Sequence, residues 1–180
     1  MMSAADVLEV LQSLAAASVD VWLDGGWGVD ALLEKQTRSH DDLDLVMKLQ
    51  DAEAATRALA ALGFTLSEEE LPTRFVLRDP NDRRIDFHTV TFDEGGGGVQ
   101  QLQDGSSYRY PPAGFLASGK VEGTQVSCLS AEVQMECHVG YEPDDADRHD
   151  VLALHERFGL ELPDIYRSSE AGVGQHTPSE

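Results

Sequence analysis

The feature that most constrains this chain is a pair of aspartates that alternate with leucines. Asp42 and Asp44 flank Leu43 in a run that continues through residues 45–47 (LVM). On a β-strand, side chains alternate between the two faces, so both carboxylates point the same way. Two carboxylates on one face repel each other unless a cation lies between them, and a hard ion such as Mg²⁺ prefers oxygen ligands. We therefore predict that residues 43–47 form a strand, here called the carboxylate strand, that presents a metal site.

A double glycine, Gly25 and Gly26, precedes this strand in the chain. It follows a short apolar run at residues 21–23, which we interpret as a buried strand, and it precedes a predicted short helix at residues 27–33. Glycines allow a bound phosphate to approach backbone N–H groups closely, and the helix after them presents its positive end. A metal site beside a phosphate cradle indicates phosphoryl or nucleotidyl transfer.

A third carboxylate, Asp86, lies in a predicted strand at residues 84–90. Ile85 and Phe87 point toward a core, and Asp86 shares the opposite face with His88. Aspartate is disfavoured within strands, so Asp86 is either a solvated residue or one that function requires at this position. If this strand lies next to the carboxylate strand, three carboxylates converge. Three carboxylates around two Mg²⁺ ions fit the two-metal arrangement for in-line displacement.

The overall charge excludes some partners and favours others. The chain has 180 residues with Lys+Arg 13 and Asp+Glu 33, so its net charge is 13 − 33 = −20. Duplex binding depends on Lys and Arg, so nucleic acid is not expected as a partner. An acidic cleft would concentrate small cationic molecules, although the acidity equally favours plain solubility. We find no membrane span and no signal peptide, and the spacing of the two cysteines does not indicate zinc, so we expect a cytoplasmic protein.

The motifs resemble those of a known group of enzymes. Residues 23–32 (LDGGWGVDAL), residues 37–44 (TRSHDDLD) and the later Asp86 resemble the nucleotidyltransferase superfamily. More narrowly, the first two runs resemble the small antibiotic nucleotidyltransferases, which include aminoglycoside-2''-adenylyltransferases and lincosamide nucleotidyltransferases. Weaker similarity continues in residues 128–132, 138–142 and 147–150, and extends to about Tyr166. Residues 95–120 carry little resemblance, so acceptor recognition is expected there.

The resemblance implies a role for each matched position. Gly25 and Gly26 would hold the triphosphate through backbone contacts. Asp42 and Asp44 would ligate the metal ions, expected to be two Mg²⁺. Asp86 would be the third acidic residue, as a metal ligand, as the base that takes the proton of the acceptor hydroxyl, or as both.

Four nearby residues have two interpretations each. Arg38 and His40 precede the carboxylates and would meet phosphate oxygens, but a surface arginine and a strand-entry histidine are equally consistent. His88 shares the face of Asp86 and is a candidate for acceptor contact, although we favour a role apart from the acceptor. Asp24 is expected to cap a helix or form a turn rather than to catalyse.

The remaining pattern predicts an α+β protein: a mixed sheet flanked by helices, with a helical C-terminal appendage. The resemblance implies a nucleotidyltransferase fold. We expect a nucleotidyltransferase domain at residues 1–129, a helical part at 130–167 and a disordered tail at 168–180. Glu132 and Glu136 have helical spacing and could line a cleft for a cationic acceptor, although we expect them on a solvated face. The other predicted helices are residues 4–16, 52–62, 130–139 and 143–158, and the other predicted strands are 64–66, 74–78 and 121–129, with 74–78 and 84–90 forming a hairpin.

The expected activity is transfer of a nucleoside monophosphate, AMP in the first instance, from a nucleoside triphosphate to a hydroxyl of a small cationic molecule. An aminoglycoside suits the negative charge because it carries several amines. A lincosamide, with one amine, remains an alternative, as do a protein acceptor in a toxin–antitoxin pair and a non-catalytic nucleotide-binding module. The sequence leaves the oligomeric state open.

Overall fold

A mixed sheet of seven strands carries the predicted carboxylates. The computed structural model describes residues 1–167, so the tail predicted at 168–180 lies outside the described residues. Five strands follow the order β1-β2-β5-β4-β3, and β6 and β7 extend the sheet from the far end of β5. A separate hairpin contains β8 and β9. The strands are β1 (Val21–Asp24), β2 (Asp42–Lys48), β3 (Thr65–Glu70), β4 (Arg74–Arg78), β5 (Arg84–Phe92), β6 (Gly98–Gln101), β7 (Ser107–Tyr110), β8 (Ser118–Val121) and β9 (Thr124–Ser127).

Six α-helices within residues 1–167 flank these strands, and their ends follow from local capping. Ser3 and Asp6 form a capping box at the start of α1, and Asp144 and Asp147 form another at the start of α5. Gly159 ends α5 in the left-handed conformation, as its position after the last apolar residue predicts. The helices are α1 (Ala4–Ala16), α2 (Gly25–Leu33), α3 (Ala52–Ala60), α4 (Ala131–Cys137), α5 (Asp145–Phe158) and α6 (Asp164–Arg167).

The alternation of β2 and β5 places their apolar and acidic residues on opposite faces. Leu43, Leu45 and Phe87 are fully buried in the main core, which they share with residues of α1 and α3. On the other face, Val46 and Val90 pack in a second core. The aspartates lie on this same face, nearer the start of each strand. The acidic face is therefore apolar at one end and carboxylate-rich at the other.

The fold class is confirmed, as is the hairpin of residues 74–78 and 84–90, because β4 pairs with β5 in an antiparallel register. The predicted helix at 27–33 begins two residues earlier, at Gly25. The two glycines are thus its first turn rather than a loop before it. The cause is Asp24, which caps the helix by accepting a hydrogen bond from the Gly25 N–H.

Two predicted strands have different bounds in the structure. The strand predicted at 121–129 is the hairpin β8–β9, because Glu122 and Gly123 both have positive φ and form a tight turn between them. The strand predicted at 64–66 runs from Thr65 to Glu70, since the acidic residues 68–70 lie on an edge strand, where charge is tolerated. The hairpin β6–β7 has no counterpart among the predicted elements.

The C-terminal helices pack onto α2, and α4 also contacts the sheet, where Val133 joins the second core with Val46 and Val90. Val29 of α2 shares a small core with Met135 of α4 and with Val151 and Leu154 of α5. The helix that begins at the double glycine therefore has the sheet on one side and the C-terminal helices on the other. A domain boundary near residue 129 stays a prediction. Within residues 1–167, no helix combines the length and apolar character needed to cross a bilayer.

The close contact between β8 and α2 leads to a prediction about the stability of variants at Gly119. A Cβ atom at this position would lie 2.1 Å from the Ala31 carbonyl oxygen of α2. We expect Gly119→Ala to lower the free energy of unfolding by about 2 kcal/mol, because backbone must move to accept the methyl group. Urea denaturation measures this change. The control is Ser118→Ala at the exposed neighbouring position, and an equal effect of both substitutions would contradict the packing argument.

Candidate active site

Three aspartates lie in one row across three adjacent strands. Asp24 of β1 is the register partner of Asp44 in the antiparallel β1–β2 pair. Asp44 is in turn the partner of Asp86 in the parallel β2–β5 pair. Asp42 lies two residues earlier on the same face of β2. The structure thus brings together the three predicted acidic residues, Asp42, Asp44 and Asp86, and adds Asp24 to them.

Asp86 is the most buried of the three predicted carboxylates, and its two oxygens have different surroundings. Oδ2 accepts hydrogen bonds from Arg74 Nη1 at 2.9 Å and from Arg84 Nη2 at 3.0 Å. Oδ1 is buried and has no hydrogen-bond partner within the described chain. Burial raises the pKa of Asp86 above its ordinary value, and the charge of Asp44 adds to the effect. A buried, unpartnered carboxylate oxygen is a position where a cation fits.

The group best placed to hold a metal contains Asp44, Asp86 and His88, whose candidate ligand atoms all lie within 4.8 Å of one another. Asp42 is not in this group, and its Oδ2 faces Arg84 Nη1 at 3.4 Å. Burial and the charge of Asp44 raise the pKa of Asp42. Asp42 is therefore close enough to sense the charge of Asp44, whereas its role as a metal ligand stays a prediction.

His88 lies beside the carboxylate row, half-buried, with its Nε2 atom 3.6 Å from Asp44 Oδ1. Burial alone would lower the pKa of His88. The contact with Asp44 and the charges of Asp24 and Asp86 outweigh burial and raise it to about 9. The imidazolium therefore offsets part of the negative charge that the row concentrates.

The double glycine allows the start of α2 to approach the site closely. Gly25 has φ +54°, which favours glycine, and a Cβ there would lie 2.5 Å from Asp44 Oδ2. A Cβ at Gly26 would lie 2.4 Å from His40 Nδ1 and 2.5 Å from Arg38 Nη2. The helix start therefore meets the carboxylates on one side and two basic side chains on the other. The expectation that Asp24 caps this helix is confirmed.

Both basic side chains beside Gly26 already have acidic partners. His40 is buried, and its Nε2 lies 2.5 Å from Asp30 Oδ2, while its ring packs against Trp27 with centroids 4.7 Å apart. Arg38 donates to both carboxylate oxygens of Asp150. They stand where a phosphate at the helix start would meet them, but contact with phosphate stays a prediction for both.

A cleft of about 570 Å³ opens beside the carboxylate row. Its floor includes Gly25, Gly26 and Asp44, and its far walls come from the hairpin β6–β7 and from the end of α4 with the segment after it. Glu136, which we expected on a solvated face, stands at this cleft. The complete lining is Asp24, Gly25, Gly26, Asp44, His88, Gln100, Leu102, Tyr108, Tyr110, Glu136, Cys137, His138, Val139, Tyr141 and Asp147.

Two pairs of tyrosine and carboxylate side chains stand on the far walls of the cleft. The Tyr108 hydroxyl donates to Glu136 Oε2 at 3.2 Å, and the Tyr141 hydroxyl donates to Asp147 Oδ1 at 2.9 Å. Burial and the adjacent acidic groups raise the pKa of both tyrosines, so both phenols are neutral at physiological pH. Tyr108 and Tyr141 were not predicted, because no motif or periodicity distinguishes them from other polar surface residues.

The fold and this site together define a nucleotidyltransferase. The sequence model of the family described as aminoglycoside-2''-adenylyltransferase matches residues 6–154. The chain therefore belongs to the aminoglycoside-2''-adenylyltransferase family, within the antibiotic nucleotidyltransferases. Membership implies a nucleoside triphosphate co-substrate and a divalent metal ion.

Individual relatives include enzymes named for two kinds of antibiotic. A lincosamide resistance protein of Staphylococcus haemolyticus is 28% identical over 149 residues, which cover 83% of this chain and 92% of the relative. A 2''-aminoglycoside nucleotidyltransferase of Klebsiella pneumoniae is 31% identical over 134 residues, which cover 73% of this chain and 71% of the relative.

Solved structures include similar folds of both kinds. The lincomycin-bound lincosamide adenylyltransferase LnuA superimposes with a TM-score of 0.76 at 27% identity, covering 85% of this chain and 96% of LnuA. ANT(2'')-Ia in complex with adenylyl-2''-tobramycin has a TM-score of 0.70 at 19% identity, covering 87% and 89%. At that identity, the second likeness supports the fold alone.

The crowding of carboxylates predicts how Asp44→Asn changes stability. The charge of Asp44 raises the pKa values of Asp24, Asp42 and Asp86. A carboxyl pKa raised by folding means that ionisation at pH 7 opposes folding. Loss of the contact with His88, which raises the pKa of that imidazolium, acts in the opposite direction. We therefore expect the metal-free Asp44→Asn variant to unfold within about 3 °C of the native protein.

The same variant tests the metal site without measuring activity. Millimolar Mg²⁺ should raise the unfolding temperature of the native protein by about 3 °C, because a ligand of the folded state stabilises it. Asp44→Asn should lose this shift. Asp41→Asn, at an exposed position beside the strand, removes the same charge and should keep it. An undiminished Mg²⁺ effect in Asp44→Asn would exclude Asp44 from the metal site.

Proposed function

We propose that this enzyme transfers AMP from ATP to a hydroxyl group of a small cationic antibiotic. The observation that carries the proposal is the alignment of Asp44 with Asp86 across β2 and β5, beside a cleft that begins at the double glycine. This arrangement provides a metal site, a helix start for phosphate and a space for the acceptor. A cytoplasmic location is part of the proposal, because ATP is available there.

Asp42, Asp44 and Asp86 would hold the metal, with two Mg²⁺ ions proposed. The unpartnered Oδ1 of Asp86 and the row of carboxylates fit such ions, since oxygen ligands are what Mg²⁺ prefers. Bound Mg²⁺ would neutralise charge on the triphosphate and on the departing pyrophosphate.

The residues of the chain bind and orient the reactants. Gly25 and Gly26 contact the triphosphate through their backbone, and Arg38 and His40 flank them. The Gly25 N–H already donates to Asp24 Oδ1, so the proposed N–H contact is that of Gly26. The acceptor oxygen forms a bond to the α-phosphorus while the bond from that phosphorus to the bridging oxygen breaks, and pyrophosphate leaves with the electron pair. The hydroxyl proton is lost near Asp86. Asp86 contributes its free Oδ1 as a metal ligand or as the base that accepts this proton.

The lining of the cleft favours an acceptor with few amines. Leu102, Val139 and Tyr110 supply apolar and aromatic surface, while Glu136 and Asp147 are the two carboxylates on the far walls. Each of these carboxylates already accepts a hydrogen bond from a tyrosine. A lincosamide, with one amine, matches this lining better than an aminoglycoside with several, so we place it first. The family match and the net charge of −20 support an aminoglycoside as the second candidate.

Turnover decides between these acceptors. Purified protein is incubated with ATP, Mg²⁺ and either lincomycin or tobramycin, and pyrophosphate and the mass of the product are measured. Adenylyl-lincomycin supports the first candidate, and adenylyl-tobramycin supports the second. Folded protein that binds ATP but modifies neither compound would contradict the proposal. Adenylylated protein in a lysate would then indicate a protein acceptor, and its absence would indicate a nucleotide-binding module.

Glu136→Gln tests whether the acidic wall binds the amine of the acceptor. We expect the KM for the accepted antibiotic to rise roughly three- to five-fold, because an exposed ionic contact contributes up to about 1 kcal/mol. The KM for ATP should not change. Glu132→Gln, one turn earlier on α4 and exposed, is the matched control. Equal KM values for the two variants would remove Glu136 from the acceptor site.

A further inference from the structure

A buried ion pair joins the C-terminal helices to the start of α2. Arg38 Nε and Nη2 donate to Asp150 Oδ1 and Oδ2 at 2.9 and 2.6 Å. Asp150 lies on α5 and its side chain is only 1% exposed, whereas that of Arg38 is 27% exposed. The two residues are 112 positions apart in the chain. The carboxylate is thus entirely inside the protein, while the guanidinium retains access to solvent.

The geometry of the pair fixes the plane of the guanidinium. Two parallel hydrogen bonds to one carboxylate define an orientation that a single bond would leave free. In that orientation Nη2 lies so close to Gly26 that a Cβ there would come within 2.5 Å of it. The pair therefore holds the guanidinium against the first turn of α2, where the proposed triphosphate contacts lie.

Arg38 keeps donor capacity after these contacts are counted. A guanidinium has five N–H donors. Two donate to Asp150, and Nη1 donates to the Ser39 carbonyl oxygen at 3.2 Å. The other two N–H groups donate to no group within residues 1–167. If Arg38 served only to neutralise Asp150, it would not need to be partly exposed or to keep free N–H donors beside the start of α2.

We propose that Asp150 is a positioning residue for nucleotide binding, which acts by orienting Arg38 toward the triphosphate. The inference rests on the proposed function, in which Arg38 contacts phosphate. It assigns to α5 a part in the nucleotide site, although this helix lies more than one hundred residues beyond the glycines in the chain. The same helix also carries Asp147 on the wall of the acceptor cleft.

Nucleotide affinity is the direct test. The Kd of a nonhydrolysable ATP analogue with Mg²⁺ is measured by calorimetry without an acceptor, so the result does not depend on which antibiotic is modified. We expect Asp150→Asn to raise this Kd about ten-fold or more, because a misoriented donor loses its contact. The KM of the acceptor at saturating ATP should stay within about two-fold of the native value.

Asp145→Asn is the matched control, since it removes the same charge from an exposed position on α5. A folded Asp150→Asn variant with the Kd of this control would overturn the proposal, because a purely structural role lowers stability without changing the affinity of the folded protein. Native protein that binds no analogue would overturn it as well. If Asp150 acts through Arg38, the double variant Arg38→Lys/Asp150→Asn should bind no more weakly than the weaker single variant.

Breaking one side of a buried ion pair is strongly destabilising, so a second pair of variants covers the case in which Asp150→Asn does not fold. Arg38→Lys and Asp150→Glu keep both charges but lose the paired hydrogen bonds. Both are expected to fold and to bind the analogue several-fold more weakly than the Asp145→Asn control. Native affinity in both variants would overturn the proposal.

Discussion

The parallel pairing of β2 with β5 is the constraint on which the site depends. It aligns Asp44 with Asp86, and its register is set by residues that do no chemistry. Leu45 and Phe87 are buried partners on the opposite face. A slip of one residue would move them toward the cleft and move the aspartates into the core. Hydrophobic burial thus pays for bringing together carboxylates that repel one another.

The protein tolerates that repulsion by placing cationic side chains against the carboxylates, and one of them, Arg84, bridges Asp42 and Asp86. Arg74 and Arg84 occupy one oxygen of Asp86, and His88 faces Asp44. Arg74 also binds Glu68 and Glu70 on β3, so its own charge is shared. The other oxygen of Asp86 has no hydrogen-bond partner among residues 1–167. The site is therefore organised around a position that these residues do not fill.

The sequence predicted this centre well because short-range periodicity determines it. Alternation alone placed Asp42, Asp44 and Asp86 on the faces they occupy, and the glycines marked the helix start. The walls of the cleft were not predictable in the same way. Tyr108 stands on a four-residue strand and Tyr141 in a loop, where no period exists to identify them. The contact of Arg38, in the loop between α2 and β2, with Asp150 on α5 depends on how distant parts of the chain pack, which local pattern does not encode.

The predictable residues and the unpredictable residues belong to different structural parts of the site. The carboxylates and glycines lie on β2, β5 and α2, which the core holds rigidly. The far walls of the cleft come from the hairpin β6–β7 and from α4 with the segment before α5. Substitutions at exposed positions of these walls would leave the register of Asp44 with Asp86 unchanged, since Leu45 and Phe87 fix it. Relatives of this chain are named for lincosamides and for aminoglycosides, and walls that vary independently of the register of β2 and β5 are consistent with both names.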